Sequence, residues 1–175
     1  MHDIIYDVAI SADGFICDSN GNTDQFLAEG DHVTDYLARL QTYRCALMGR
    51  RTYEYGLAMG LPLGANPYPH MPCHILSTRL RLPEEAEVSL TSPDQIASLR
   101  EAAEGPVYLC GGGDLAGWMN RQGLVDLLRL KINPIILGRG IHLWGPQGGR
   151  ALSDARLTES RHYTSGVIYQ EYRLT

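Results

Sequence analysis

A chain of 175 residues with 44% apolar residues is long enough to bury one sizeable core and short enough that a single domain over residues 1–175 is expected. Its formal charge of −5 excludes a surface built mainly for nucleic acid or anionic lipid, so an anionic ligand has to be held by a few well-placed groups. No run approaches the roughly 18 apolar residues of a membrane span. The four cysteines, Cys17, Cys45, Cys73 and Cys110, form no C-x-x-C pair and read as reduced thiols of a cytoplasmic protein, three of them in apolar runs as core residues.

In chain order, "IIYDVAIS" (4–11) reads as a first strand, and Asp13-Gly14 then turns the chain into "FIC". "DHVTDYLARLQ" carries Val33, Tyr36, Leu37 and Leu40 at helical spacing, with Asp31 as its expected cap. "CALMG" (45–49) is a short apolar strand ending in glycine, and "RRTYE" opens a helix behind it. The prolines and glycines of "GLPLGANPYPHMP" (60–72) mark a surface loop. Strands follow at "CHILS" and "AEVSL". A helix is then announced by Ser92, Pro93 and Gln95, a capping box with proline in the first turn, and is stopped by Gly105-Pro106. "VYLC" is a strand running into Gly111, Gly112 and Gly113, and "DLAGWMN" is a helix. "LVDLLRLKINPIIL" alternates Leu128, Leu130 and Ile132 with Arg129, Lys131 and Asn133 as one long strand; the spacing leaves open whether Arg129 and Lys131 face a pocket or solvent. "ARLTESRHYT" and "GVIYQEYRL" meet at Ser165-Gly166 in a hairpin. This order predicts a three-layer α/β fold, a mostly parallel mixed sheet ending in a C-terminal antiparallel hairpin.

In such sheets ligands bind beyond the carboxyl ends of the strands, and three of those ends carry phosphate chemistry. Gly111, Gly112 and Gly113 place free N–H groups and a helix N-terminus where no side chain keeps an anion away. Gly49, Arg50, Arg51 and Thr52 repeat the arrangement with two guanidinium groups and a hydroxyl, and Ser77, Thr78 and Arg79 supply a third set. A ligand with several phosphates fits, and a separate ribose phosphate beside arginines favours NADPH over NADH. Gly111, Gly113 and Ala116 also match the Rossmann G-x-G-x-x-A, but the following strand ends in "LRLKINP" rather than in an acidic ribose ligand. His70, Cys73 and His74 lack a fourth ligand and are interrupted by Pro72, so no metal is expected. His142 and His162 read as strand residues.

With "SADGFI", "MGRRTYE", "ILSTRL" and "VYLCGGGDLAGWMNRQGLVDLLRLKINPIILGRGIHLW" in this order, the sequence resembles the dihydrofolate reductase-like fold, and within it the RibD-type reductase domain of bacterial riboflavin biosynthesis and its free-standing relatives. The resemblance implies an NADPH site: Gly49 to Thr52 at the adenosine end and phosphates, Ser77 to Arg79 at the ribose phosphate, Gly111 to Asp114 and Leu115 at the pyrophosphate. Ala9, Ile10, Gly14, Phe15 and Ile16 would line the nicotinamide. It implies an activity like that of 5-amino-6-(5-phosphoribosylamino)uracil reductase on a small heterocyclic substrate, pyrimidine- or pterin-like, in a homodimer. Ser11, Asp13 and Asp24 are the candidate catalytic groups, each of which a turn or helix cap would explain equally well. Two features depart from the family pattern: no complete basic set for a ribose-phosphate substrate is visible, and the early tryptophan of a true dihydrofolate reductase is absent, with only Phe15 and Phe26 nearby. A free-standing reductase domain is expected rather than the bifunctional riboflavin enzyme. The rival expectation is an NADP(H)- or nucleotide-binding sensor without catalysis.

Overall fold

The computed structural model describes residues 1–151 and 154–175. Its strands are β1 (Ile4–Ser11), β2 (Phe15–Cys17), β3 (Cys45–Gly49), β4 (Cys73–Leu76), β5 (Ser89–Thr91), β6 (Val107–Gly111), β7 (Leu127–Asn133), β8 (Ile141–His142), β9 (Ala155–His162) and β10 (Ile168–Leu174). Its helices are α1 (Asp31–Leu40), α2 (Arg50–Ala58), α3 (Ile96–Ala102) and α4 (Gly113–Arg121). Eight strands make one sheet in the order β5-β4-β3-β6-β1-β7-β10-β9, while β2 and β8 form a separate antiparallel ribbon. From β5 to β7 the pairs are parallel, and β10 then runs antiparallel to both β7 and β9. This is the mixed sheet with a terminal hairpin that the element order predicts.

Alternation along the central strands divides the core in two. Ile4, Tyr6 and Ile10 of β1 share one face with Leu47, Leu109, Leu128 and Leu130, covered by Ile96 of α3 and by Leu115 and Met119 of α4. Ile5 shares the other face with Ala46, Met48, Ile75 and Tyr108, under Leu40, Tyr43 and Tyr53. Cys17, Cys45 and Cys73 are buried, and Cys110 is half-buried.

Four elements depart from the sequence reading. The helix announced at Ser92 starts as a 3-10 turn over Pro93–Gln95 before α3, and its capping box forms. The cap of α1 is Gly30 at φ 120°, which displaces Asp31 into the first turn, where its charge meets the positive end of the helix dipole. β5 lies a few residues later than "AEVSL", and β7 stops at Asn133 because Pro134 cannot donate to a ladder. The Ser165-Gly166 turn is as expected, with Gly166 at φ 85°. Among the described residues no helix is long and apolar enough to cross a membrane.

One packing constraint is sharp. A Cβ on Gly117 of α4 would collide with the Trp144 carbonyl and stand 2.9 Å from the Gly148 carbonyl oxygen, both of them backbone. Gly117→Ala should therefore destabilise by about 2–3 kcal/mol and lower Tm by roughly 5–10 °C. Gly123→Ala, at φ 68° with open space around it, should cost only about 1 kcal/mol. Thermal denaturation of the two variants side by side checks the contrast.

Candidate functional site

The carboxyl ends of β3, β6 and β1 meet one side of β7 to form a cleft of about 1190 Å³. Two helices start at its outer end. α2 follows Gly49 and α4 follows Gly112, neither has a side-chain cap, and a Cβ on Gly49 would stand 3.7 Å from both the Gly111 carbonyl oxygen and the Leu115 side chain. Two sets of uncapped N–H groups and two positive dipole ends therefore open side by side. Arg50 is paired within its own helix to Glu54, at 2.6 Å, and the exposed Arg51 reaches Asp114 across the helix pair at 3.1 Å.

The glycine triplet has two origins. Gly111 sits at φ 113°, where its substitution would also press on Tyr6, and a Cβ on Gly113 would stand 2.5 Å from the His142 carbonyl oxygen and 2.8 Å from the Gly145 nitrogen. The fold itself demands these two. Gly112 is different: no backbone crowds it, and a Cβ there would fill the gap in the cleft wall to Thr52 Oγ1 at 3.2 Å. That gap is a backbone cradle of the kind that admits a phosphate oxygen.

The inner end is made by side chains. Asp7, Ala9 and Ser11 of β1 lie beside Arg129, Lys131 and Asn133 of β7, register partner by register partner. They point to the same face, under α1 rather than into water. Asp7 is 1% exposed and Lys131 8% exposed, with Lys131 Nζ donating to Asp7 Oδ1 at 2.6 Å. Asp7 Oδ2 accepts from Tyr43 Oη at 2.9 Å and from Arg39 Nε at 3.4 Å. Arg129 donates to Tyr43 Oη at 3.0 Å and pairs with Glu171 at 2.7 Å. Arg39 Nη2 is buried without a hydrogen-bond partner, but its guanidinium lies 4.4 Å from the Tyr169 ring centroid. Above the pair, Lys131 Nζ sits 3.7 Å from the Tyr36 ring centroid, and Tyr36 Oη is 3.0 Å from Tyr108 Oη.

Burial alone would raise the pKa of Asp7; the charges of Lys131 and Arg39 and the hydrogen bonds from Lys131 and Tyr43 outweigh it and hold the carboxyl below its ordinary value. Lys131 is pulled below an ordinary lysine by burial, with Asp7 opposing that shift. Tyr36 and Cys110 are both pushed up by burial. Burial thus keeps the aromatic wall protonated, while Asp7 and Lys131 each favour the other's charged form.

The sequence-predicted residues divide between the cleft and its surroundings. Ala9, Ile16, Gly49, Arg50, Arg51, Thr52, Gly112, Gly113, Asp114 and Leu115 line it. Gly111 lies just behind, and Ile10 is in the core. Gly14 and Phe15 belong to the ribbon wall, with Gly14 packed on the His142 ring at 3.2 Å from its would-be Cβ and Phe15 edge-on to the same ring. Ser77, Thr78 and Arg79 follow Leu76, which does line the cleft; Ser77 Oγ accepts the N–H groups of Arg79 and Leu80, leaving Thr78 and Arg79 exposed on the rim. None of the three catalytic candidates lines the cleft. Ser11 is fully buried and its Oγ accepts the Phe15 N–H, Asp13 closes the loop by accepting the N–H groups of Leu137 and Gly138, and Asp24 is exposed. Asp7 is the polar group the sequence reading passed over, and Lys131, which that reading left between pocket and solvent, lines the cleft. The signal available was a lone aspartate inside an apolar strand, register-matched to the cationic half of "LLRLKIN". Among the described residues no cluster of His, Cys, Asp and Glu forms a metal site.

A parallel-sheet cleft with two helix N-termini at one end and a buried polar pair at the other defines the chain as a dihydrofolate reductase-like α/β protein. The family described as the RibD C-terminal domain matches residues 2–169, and the chain belongs to it. It is similar to YyaP of Bacillus subtilis (strain 168), an uncharacterized protein, with 25% identity over 181 residues covering 97% of this chain and 93% of YyaP. A putative riboflavin biosynthesis protein from Shewanella sp. PV-4 superposes with a TM-score of 0.82 at 24% identity, covering 100% of this chain and 99% of its own. Dihydrofolate reductase from Enterococcus faecalis, complexed with NADP(H), superposes with a TM-score of 0.68 at 14% identity, covering 99% and 96%. These likenesses are to the fold.

Removing the Asp7 charge leaves Lys131 buried and unpaired, so Asp7→Asn should destabilise by about 3–5 kcal/mol at pH 7. The folded pKa of Asp7 lies below the unfolded value, which is about 3.9. Its contribution is therefore fully present above that value and lost as pH falls through the folded pKa. Denaturant titrations of wild type and Asp7→Asn should show a gap that is level from about pH 5 to pH 8 and closes below about pH 4.

Proposed function

We propose that the protein is an NADPH-dependent reductase that passes a hydride to a small heterocyclic, pyrimidine- or pterin-like acceptor. The observation that carries this reading is the continuity of one cleft, from the paired helix N-termini with Arg50 and Arg51 to the buried Asp7–Lys131 pair. β3 and β7 are three strand intervals apart in the sheet order, about 14 Å at ordinary strand spacing. A phosphate-holding end and a proton-bearing end at that separation suit an extended dinucleotide that must bring its ring to an acceptor. Membership of the RibD C-terminal domain family and the likeness to a dihydrofolate reductase that binds NADP(H) support the same reading.

In this reading Gly49, Thr52, Gly112, Gly113 and the N–H groups opening α2 and α4 hold the pyrophosphate and adenosine phosphates. Arg50 and Arg51 exchange their present carboxylate partners for phosphate oxygens. Ser77, Thr78 and Arg79 on the adjacent rim hold the ribose phosphate that separates NADPH from NADH. Ala9 and Ile16 line the ring position, with Ile10, Gly14 and Phe15 supporting it from behind. Bound NADPH supplies the hydride. The chain itself shields the reacting atoms from water with Ile16, Phe26, Leu115 and Trp118, all on the cleft wall.

A thermal-shift titration tests the cofactor. Saturation near 100 times Kd stabilises by about 2.7 kcal/mol, a rise of roughly 5–10 °C for a chain of this size. That rise should come with NADPH and be much smaller at equal NADH. Arg79 is exposed, so Arg79→Ala should leave Tm of the free protein unchanged while weakening NADPH about tenfold or more and NADH hardly at all. Equal affinity for both cofactors in the wild type would overturn the phosphate assignment, and NADPH binding with no turnover of any acceptor would favour the sensor.

A further inference from the structure

Three residues of full cationic character line the cleft, and they are unevenly placed. Arg50 and Arg51 stand together at the start of α2, whereas Lys131 is alone on β7. The charge of Lys131 is already matched by Asp7 at 2.6 Å. The remaining basic group is His32, whose Nε2 lies 3.0 Å from the Leu27 carbonyl and whose Nδ1 lies 3.2 Å from Ser165 Oγ. Asp7 also pairs with Arg39, which does not line the cleft, so among the described residues the inner end presents to a ligand no cation that lacks a carboxylate partner. A phosphate monoester brings about −1.5 to −2 at neutral pH and would have to leave water without a partner there. What the inner end does offer is flat and apolar, Tyr36, Tyr108 and Phe26, around one charged hydrogen-bond donor.

That donor has capacity to spare. A lysine ammonium carries three N–H groups. One is given to Asp7 Oδ1, and among the described residues the ammonium otherwise meets the Tyr36 ring face, so donor capacity remains for a ligand in the cleft. Asp7 cannot take this part, because it is nearly without exposure and its second oxygen is engaged by Tyr43 and Arg39. We propose that the inner end of the cleft binds an uncharged, planar, conjugated acceptor carrying no phosphate, and that Lys131 is the group that recognises its heteroatom and protonates it during reduction. This rests on the reductase reading above, with a reduced nicotinamide as the two-electron donor. The acceptor carbon of a conjugated C=N or C=C–C=O unit gains a hydride and the π pair shifts to the heteroatom. Lys131 Nζ delivers the proton that completes the two-electron reduction. The lysine is then neutral beside the Asp7 carboxylate and regains its proton from water at the cleft mouth, while the nicotinamide leaves oxidised.

The groups facing Lys131 are Asp7 from β1, Tyr36 and Arg39 from α1, Cys110 from β6 and Tyr169 from β10. Burial lowers the ammonium pKa and Asp7 opposes the shift, so an alkaline limb in kcat below the ordinary lysine range is expected.

Two experiments test the proposal. With the protein saturated by NADP+, calorimetric titration should show 5,6-diaminouracil binding and 5-amino-6-(5-phosphoribosylamino)uracil binding no tighter. A tenfold or greater gain from the ribosyl phosphate, or failure of both compounds to bind, overturns the acceptor class. In an NADPH-oxidation panel of neutral conjugated imines, enones and quinones with phosphorylated analogues, at least one neutral member should be reduced, and faster than its analogue. Lys131→Arg keeps a cation beside Asp7 but yields no proton near neutrality. It should hold NADPH within about threefold of wild type, lose about 100-fold or more in kcat on that acceptor, and lack the alkaline limb. Full turnover by Lys131→Arg, or an inert panel in a protein that binds NADPH, sinks the proton-donor assignment and leaves the cofactor reading standing. Absence of NADPH binding by the wild type is the separate failure of that reading.

Discussion

The contact on which the rest of this molecule depends is the ion pair between Asp7 and Lys131, two residues on adjacent central strands whose charges are almost wholly withdrawn from water. Stripping solvent from two such ions costs several kcal/mol each, and their attraction recovers it only when the remaining lone pairs and protons are satisfied. The chain meets that condition on the carboxylate side with Tyr43 and Arg39, and Arg129 and Glu171 extend the pair into a polar band from β1 across β7 to β10. Hydrophobic residues of equal volume would hold these strands together at least as well. A buried charge kept at the wall of a large cleft, with its partners ordered around it, therefore points to chemistry more than to stability.

The band also explains the division of the core. One face of the sheet is apolar throughout its centre and packs α3 and α4, whereas the other carries Ser11, Asp7, Lys131 and Asn133 among its buried positions and cannot be closed by a simple apolar helix. α1 answers by presenting Tyr36 and Arg39, side chains with an apolar body and a polar tip, and Tyr43 follows just after it. The cleft opens where this polar face meets the strand ends.

The sheet order and terminal hairpin were legible because they are written in periodicity, glycine and proline, which act locally. The glycine-flanked helix starts at the outer end of the cleft were legible for the same reason, since a strand running into Gly49-Arg50 or into Gly111-Gly112-Gly113 is a local pattern. Locality also limits the reading: both Gly112 and Gly113 line the cleft, and only the packed structure shows that Gly113 is forced by the backbone at His142 and Gly145 while Gly112 faces the Thr52 hydroxyl alone. The inner end of the cleft was only half legible, with Lys131 left between pocket and solvent and Asp7 unnoticed. Asp7 and Lys131 are separated by most of the chain and acquire meaning only when β1 and β7 become neighbours. Ser11, Asp13 and Asp24 drew notice instead, because polar residues around a glycine turn are conspicuous in sequence; the folded loop shows Ser11 and Asp13 tying it together and Asp24 facing outward.

The two ends of the cleft therefore follow different physical rules. At the outer end the free polar groups are main-chain N–H groups fixed by helix geometry, and the ion pairs of the partly exposed Arg50 and the exposed Arg51 are cheap to exchange, since ion pairs in water contribute about 1 kcal/mol or less. At the inner end Lys131 is already bound to Asp7, and displacing it would leave a buried carboxylate without its closest cation. A ligand there must add to the pair without breaking it. A neutral heteroatom that accepts one more hydrogen bond does so, whereas an anion competes with Asp7 for the same ammonium.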